Sequence, residues 1–182
     1  MPVSLIFFLF IGKSVQAQFP EPTPEHEVLK QDVGIWQASV KLWMGADGKT
    51  DPNADPTVSQ GVETNRLLGP FWVISEFKGD FGGLPFEGHS ISGYDTKTKK
   101  YVGSWVDSVS PAAMHMSGTF DKSTNTLTSS TKGIDLEGNE VQGKSVVKYV
   151  DKDHRLMTMY ELKAGTTDQY VRSMEIVYLR QK

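Results

Sequence analysis

Three segments of the sequence carry residue types at spacings that approach hydrolase motifs. Ser129–Lys132 and Ser145–Lys148 each have a lysine three residues after a serine, which on a helix would bring the two side chains together for nucleophilic attack. Gly88–Gly93 approaches the turn that presents a serine nucleophile, but Ser92 stands where the second glycine is required. Both serine–lysine segments lie in runs that alternate like β-strands, where positions three apart face opposite ways. The sequence therefore predicts no nucleophilic hydrolase site.

Two other segments contain possible metal ligands. Asp51-Pro-Asn-Ala-Asp55 begins like a calcium-binding loop, but Pro56 replaces the turn glycine and Val62 stands where a bidentate glutamate is needed. Met114-His-Met116 has soft ligands suited to copper, yet strand alternation sends His115 to the face opposite both sulfurs. Two core methionines beside a surface or rim histidine fit this pattern better. We therefore predict neither a metal site nor a cofactor.

The remaining candidates for acid–base chemistry are single residues. His89 and Asp107 form the pair best suited to proton transfer at a barrel mouth. Glu76 and Glu175 lie on different predicted strands, and the sequence does not fix the distance between their carboxylates. Because no catalytic signature is complete, we predict that the protein is not an enzyme.

Ten segments with the features of β-strands must position all of these residues. Apolar and polar residues alternate within them, turn residues separate them, and no helix of useful length lies between them. Such a series favours an antiparallel up-and-down meander closed into a barrel, an all-β fold. The predicted strands cover residues 35–44, 58–68, 71–81, 86–95, 100–108, 113–121, 125–133, 141–150, 154–163 and 169–180.

The N-terminal segment differs from the rest of the chain. Leu5–Ile11 is an apolar run too short to span a bilayer, and Val15-Gln-Ala17 puts small residues at the cleavage-determining positions. We predict a signal peptide over 1–17, a leader and short helix over 18–33, and a barrel domain over 34–182, in a secreted or periplasmic protein. No lysine or arginine precedes the apolar run, so a buried strand or a mis-set start codon is the alternative.

The composition limits the classes of partner. With 182 residues and 38% hydrophobic content, the chain is large enough for one domain with its own core. A formal net charge of −3 provides no basic surface for nucleic acid or anionic lipid. We therefore predict no nucleic-acid partner and no membrane span. The lack of cysteine excludes disulfides, a thiol nucleophile and thiolate metal ligands.

The predicted barrel begins with a distinctive order of elements. Thr23 and Pro24 are suited to begin a short helix, and Gly34 is suited to end it just before Trp36. A short helix followed by Gly-x-Trp on the first strand resembles the start of lipocalins and fatty-acid-binding proteins. The resemblance implies that Trp36 plugs the closed end of the barrel.

Eight spaced motifs carry a closer resemblance, which runs from about Phe19 to Arg180. They are Phe19-Pro-x-Pro-x-Pro-Glu-His26, Gly34-x-Trp36, Gly69-Pro-Phe-Trp72, Gly83-x-Pro-Phe-x-Gly88, Gly93-Tyr-Asp95, Tyr101-x-x-x-Trp105-x-Asp-Ser108, Gly118-x-x-Asp121 and Tyr178-x-Arg180. In this order they are similar to a bacterial family known only as domain of unknown function 1579. The resemblance implies a lipocalin-like (calycin-type) barrel and assigns no activity.

Strand alternation predicts which side chains face the barrel interior. On the last strand Tyr170 and Arg172 share a face with Met174 and Arg180, and we interpret this face as inward. The looser loops at 45–57 and 82–85 mark the mouth. The predicted ligand-binding residues, which include inward rows on the fifth and sixth strands, are Phe77, His89, Trp105, Asp107, Met114, Met116, Tyr170 and Arg172.

Arg180 is predicted to close the barrel. If the last strand pairs with the first, its guanidinium arrives beside Trp36 and can reach the free carbonyls at Val33 or Gly34. Arg66 on the second strand is the competitor for this position.

These residues predict a barrel that binds a small apolar or amphipathic molecule. We expect Arg172 to pair either with a ligand carboxylate, as inward arginines do in the fatty-acid-binding proteins that this barrel resembles, or with Asp107 or another carboxylate at the rim. The alternatives are a small acid–base enzyme that uses His89 and Asp107, and a filled barrel that acts as a structural or interaction module.

Overall fold

The structure is an all-β barrel preceded by one short helix, α1 (His26–Leu29). This computed structural model describes residues 20–45, 47–81, 83–135 and 137–182. In these ranges no helix has the length and apolar character needed to cross a membrane. The predicted signal peptide at 1–17 lies outside the described residues.

Ten antiparallel strands pair in sequence order, and the last returns to pair with the first. Every strand therefore has a neighbour on both sides, which removes the free edges that an open sheet would expose. The predicted ten-stranded up-and-down barrel is confirmed, and every predicted strand end lies within two residues of an observed one. The strands are β1 (Gly34–Leu42), β2 (Thr57–Leu68), β3 (Trp72–Phe81), β4 (Leu84–Asp95), β5 (Lys100–Asp107), β6 (Met114–Asp121), β7 (Thr126–Ile134), β8 (Glu140–Tyr149), β9 (His154–Leu162) and β10 (Tyr170–Arg180).

Helix α1 covers one end of the barrel. Val28 and Leu29 are buried and form a cluster with Val73 of β3 and Tyr101 of β5. The Tyr101 hydroxyl also donates a hydrogen bond to the carbonyl of Glu25, 2.9 Å away. The apolar face of this four-residue helix is thus held by barrel side chains, since so short a helix is not stable on its own.

The predicted start of the helix is wrong by two residues. Thr23 does not cap a backbone amide of α1, because its hydroxyl lies 3.1 Å from Nδ1 of His26, the nitrogen to which its own amide donates at 2.9 Å. Pro24 and Glu25 form a turn, and the helix begins at His26. The competing partner is a side chain, which helix-capping patterns in the sequence do not reveal.

Arg180 connects the last strand of the barrel to the first. It pairs with Trp36 across β10 and β1, and its Cζ lies 4.0 Å from the centre of the Trp36 ring. Its guanidinium donates to the carbonyl of Val33 and, at 2.9 Å, to that of Gln31. Gly34 leaves the space for it, since a Cβ there would lie 2.5 Å from Nη1 of Arg180 and the backbone φ of +127° is rarely adopted by other residues.

The expected competitor does not reach this position. Arg66 is exposed and pairs with Ile74, so that it lies on the outer face of β2. Its neighbours Asn65 and Leu67 alternate to the inside, where Asn65 is 3% exposed.

A β-bulge in β10 reverses the faces of its first residues. Met174 pairs with Met159 of β9, whereas Arg172 pairs with Tyr160, so one residue of β10 between them has no partner. An extra residue shifts the alternation by one position. The inward orientation predicted for Tyr170 and Arg172 is therefore wrong.

The contact between Trp36 and Arg180 gives a test of the closure. We expect Trp36→Ala to lower the free energy of unfolding by about 3–5 kcal/mol, because it empties a fully buried site. Arg180→Ala should lower it by less, and a double-mutant cycle in urea should give a coupling of about 0.5–2 kcal/mol, the size of a cation–π contact. Strictly additive losses would contradict the contact.

Candidate ligand-binding site

The inner face of the barrel divides into two halves. Next to α1 a cluster of inward side chains around Trp36 is buried, whereas toward the opposite end, the mouth, several large apolar inward side chains keep part of their surface accessible. Because the barrel wall is closed, accessible surface on an inward side chain must face space inside the barrel. The closed half is centred on the cluster of Trp36, Ala38, Phe77, Ile176 and Tyr178. The open half is lined by Phe86, Trp105, Met114, Met116, Met157, Met159 and Met174.

Aromatic rings from three neighbouring strands line one side of the open half. Phe86 of β4 stacks on Trp105 of β5 with ring centroids 6.4 Å apart, and its centroid lies 6.0 Å from that of Phe81 of β3. Phe86 also meets the edge of Phe77 at 5.9 Å, but Phe77 is buried in the cluster of the closed half. The rings lie close against the wall, because a Cβ on Gly88 would be 2.1 Å from the Trp105 ring and one on Gly61 would be 2.3 Å from the Phe77 ring. The wall therefore offers flat apolar surfaces to the interior.

Methionines line the other side. Five of the seven methionines in the chain face inward, from β6, β9 and β10. Their unbranched thioether side chains adapt to the shape of a partner and contact aromatic groups favourably. The structure places Met114 and Met116 on the inner face, as strand alternation indicates, and their role in ligand binding stays a prediction.

A depression of about 1190 Å³ opens at the mouth. It is bounded by the β1–β2, β7–β8 and β9–β10 connections and reaches Glu161 on the inner face of β9. Thr50 donates a hydrogen bond to Glu161 at 2.6 Å, and the Lys49 ammonium lies 3.5 Å from a carboxylate oxygen of Glu137. The β1–β2 connection, one of the two loops predicted at the mouth, is thus held across it, whereas residues 83–85 do not line the depression.

Asp107 is fixed on the inner face near the mouth. One carboxylate oxygen accepts a hydrogen bond from the Trp105 indole N–H at 2.8 Å. The other accepts the backbone amides of Val109 at 3.0 Å and Ser110 at 2.8 Å. Asp107 therefore joins the aromatic wall to the β5–β6 turn, and the residue is partly exposed.

His89 lies on the outer face, which contradicts its predicted place in the site. It pairs with Val106, the neighbour of Asp107, so the two candidate acid–base residues point to opposite sides of the wall. Its Nε2 is 3.2 Å from a carboxylate oxygen of Glu87, and 47% of its side chain is exposed. Among the described residues no group of three or more His, Asp or Glu side chains is arranged to hold a metal ion.

Arg172 and Tyr170 also make their contacts on the outer face. The Arg172 guanidinium lies 3.8 Å from the centre of the Trp43 ring and 3.7 Å from the Glu175 carboxylate. The Lys144 ammonium lies 4.3 Å from the centre of the Tyr170 ring. Arg172 therefore cannot meet a ligand carboxylate in the open half, nor can it pair there with an inward acid.

Besides Arg180, a second arginine, Arg155, faces inward, although no motif in the sequence marks it. Its guanidinium binds the carboxylates of Asp32 and Glu63, the latter at 2.5 Å. It also lies 4.0 Å from the ring centre of Tyr178 and 4.7 Å from that of Trp36. Only 6% of its side chain is exposed, so this charged group belongs to the closed half.

Burial governs the ionisation of this network. It raises the pKa of the Asp32 carboxyl, and the neighbouring Arg155 guanidinium opposes the rise. Burial disfavours the charged form of Arg155, but the Glu63 and Asp32 carboxylates outweigh this effect and raise its pKa. The Tyr149 hydroxyl donates to Asp32 at 3.0 Å. Since the one guanidinium binds both carboxylates and is itself buried, we interpret the network as a structural part of the closed half and not as a ligand site.

Solved structures show the same fold at low sequence identity. Rv2717c from M. tuberculosis superimposes with a TM-score of 0.65 at 12% identity, over 89% of this chain and 100% of that chain. The S-type phycobiliprotein lyase CPES from Guillardia theta gives a TM-score of 0.58 at 12% identity, over 87% and 93%. No curated protein matches the sequence. Residues 21–180 match the model of a family described as "Protein of unknown function (DUF1579)".

The Arg155 network predicts a pH-dependent cost of losing its cation. Arg155→Met should lower the free energy of unfolding by about 3–5 kcal/mol at neutral pH, because it leaves buried carboxylates without a counter-charge. Without the guanidinium the pKa of Asp32 should rise further above its unfolded value. The stability of the variant should then be greatest below about pH 4 and fall as pH rises through the folded-state pKa.

Arg66→Met is the matched control, since Arg66 is exposed on the outer face of β2. Urea denaturation of both variants between pH 4 and 8 compares them directly. An equal loss at every pH, or equal stability of the two variants, would contradict the role assigned to Arg155.

Proposed function

The chain belongs to the DUF1579 family, and from the geometry of its barrel we propose that it binds a small apolar or amphipathic molecule in the open half. One observation carries the proposal. Large apolar inward side chains such as Trp105 and Met159 keep part of their surface accessible inside a closed wall, whereas the cluster centred on Trp36 is buried. Apolar surface that a fold leaves accessible in a concave site is characteristic of ligand pockets.

The two sides of the open half suit a ligand with a flat or flexible apolar body. Aromatic rings on β3–β5 offer planar contacts, and methionines on the facing strands can adjust to what lies against those rings. The inward residues of β7 and β8, among them Thr131, Gly143 and Ser145, are small and buried. A ligand entering through the mouth would contact the accessible surface of the aromatic rings and methionines without displacing the buried core.

Binding fits these residues better than catalysis. Acid–base chemistry by His89 and Asp107 requires both groups to reach one substrate, and they lie on opposite faces of the wall. In the closed half the Arg155 guanidinium binds the Asp32 and Glu63 carboxylates, so these acids and this base are already engaged with one another. We therefore propose a binding protein and not an enzyme.

A neutral fluorescent probe tests the open half. N-phenyl-1-naphthylamine should bind with an increase in its fluorescence, because it moves from water into an apolar site. Met116→Trp should weaken binding by about tenfold or more, since the larger ring occupies the ligand space. Val106→Trp, on the exposed outer face of β5, is the control and should bind the probe like the unchanged protein.

Two results would contradict the proposal. One is the lack of any saturable probe binding by a folded protein, which would favour a filled barrel. The other is equal weakening by Met116→Trp and Val106→Trp, which would place the probe outside the barrel.

A further inference from the structure

The inner wall of the open half carries charge of one sign only. Asp107 of β5 and Glu161 of β9 face inward near the mouth. In the described strands no lysine, arginine or histidine faces the open half, because Arg172 and Lys144 lie outside and Arg155 lies in the closed half. The only charged groups that a ligand meets on this wall are therefore carboxylates.

The rim of the mouth is also predominantly acidic. Five acidic and two basic side chains line the depression, and one of the basic ones, Lys49, is paired with Glu137. An anionic ligand would have to approach this rim against its field and lose hydration without gaining a counter-charge. A cationic ligand would be attracted by the same field, and the carboxylates would provide counter-charges for the hydration that it loses.

Both inward carboxylates retain capacity to bind a donor. Asp107 is oriented by the Trp105 indole and two backbone amides, which leaves one lone pair of its indole-bound oxygen unused. Glu161 receives the Thr50 hydroxyl on one oxygen only. They stand four strands apart around the ten-stranded wall, so a group at the centre of the mouth lies between them.

We propose that the ligand is a cationic amphiphile, with an apolar body in the open half and an ammonium or similar cation at the mouth near Asp107 and Glu161. The aromatic wall contributes as well, because the face of an indole such as that of Trp105 attracts a cation. This inference rests on the proposed function and specifies its ligand class. It reverses the expectation that an arginine binds a ligand carboxylate.

Three ligands that share a twelve-carbon chain and differ in head-group charge distinguish the contribution of charge to affinity from that of the apolar chain. Dodecylamine, dodecanol and dodecanoate are titrated against bound N-phenyl-1-naphthylamine at neutral pH, low salt and concentrations below micelle formation. We expect dodecylamine to displace the probe at a roughly five- to tenfold lower concentration than dodecanol, the size of a partly solvated charge pair, and dodecanoate to be the weakest. The preference for the amine should shrink as salt is added.

Variants of Asp107 and Glu161 test whether these two residues cause the preference for the amine. Asp107→Asn and Glu161→Gln should each reduce the ratio of amine to alcohol affinity, and both together should abolish it, while dodecanol affinity stays unchanged. Glu76→Gln removes the same charge from the outer face of β3 and should preserve the ratio.

The outcomes separate this inference from the proposed function. If dodecanol displaces the probe but dodecanoate binds as well as dodecylamine, the charge inference is overturned and the apolar site stands. A preference that survives the double variant overturns the assignment to Asp107 and Glu161. If none of the three ligands displaces the probe, both proposals fail.

Discussion

The packing of the Trp36 indole against two guanidinium groups is the interaction on which the closed end of the barrel depends. Trp36 is 1% exposed, and Arg155 and Arg180 both lie within 5 Å of its ring centre. Arg180 comes from the last strand and ties β10 to the carbonyls that follow α1. Arg155 comes from β9 and ties the barrel wall to Asp32 and Glu63. One aromatic ring thus joins the helix segment, the first strand and the last two strands.

The packing of side chains at the closed end also explains why space remains at the other end. Ten strands enclose more volume than the inward side chains of one layer can fill, so packing at one end leaves space at the other. Here the Trp36 cluster and the buried ion network are concentrated near α1, and the inner wall beyond them carries the Phe86 and Trp105 rings, methionines and small residues. Stability and ligand access are thereby assigned to different halves of the same barrel.

Strand alternation predicted most of the fold because a period of two is set by backbone geometry and is visible in one sequence. It failed where one residue breaks the period. No sequence pattern indicates the bulge before Met174. Because of this bulge, Arg172 contacts Trp43 on the outer face and does not reach the predicted ligand site. The position of His89 was also unpredictable, since small residues occupy both faces of β4.

The Arg155 network could be predicted only in part. Alternation with Met157 and Met159 indicates that Arg155 faces inward, which a parity count of β9 would have shown. Its partners come from the segment after α1 and from β2, and no sequence pattern brings Asp32 and Glu63 to one point. The same limit applies to the open half, because accessibility inside a barrel depends on how all ten strands close.

The division of the interior can be measured directly through its methionines. In a protein labelled with ¹³C at the methionine methyl groups, dissolved xenon should shift the signals of the five inward methionines, since xenon enters apolar space that is accessible to it. The signals of the Trp36 indole should stay unchanged under the same pressure. Methionine signals that do not respond to xenon, or an indole that responds as strongly as they do, would contradict an open half above a filled floor.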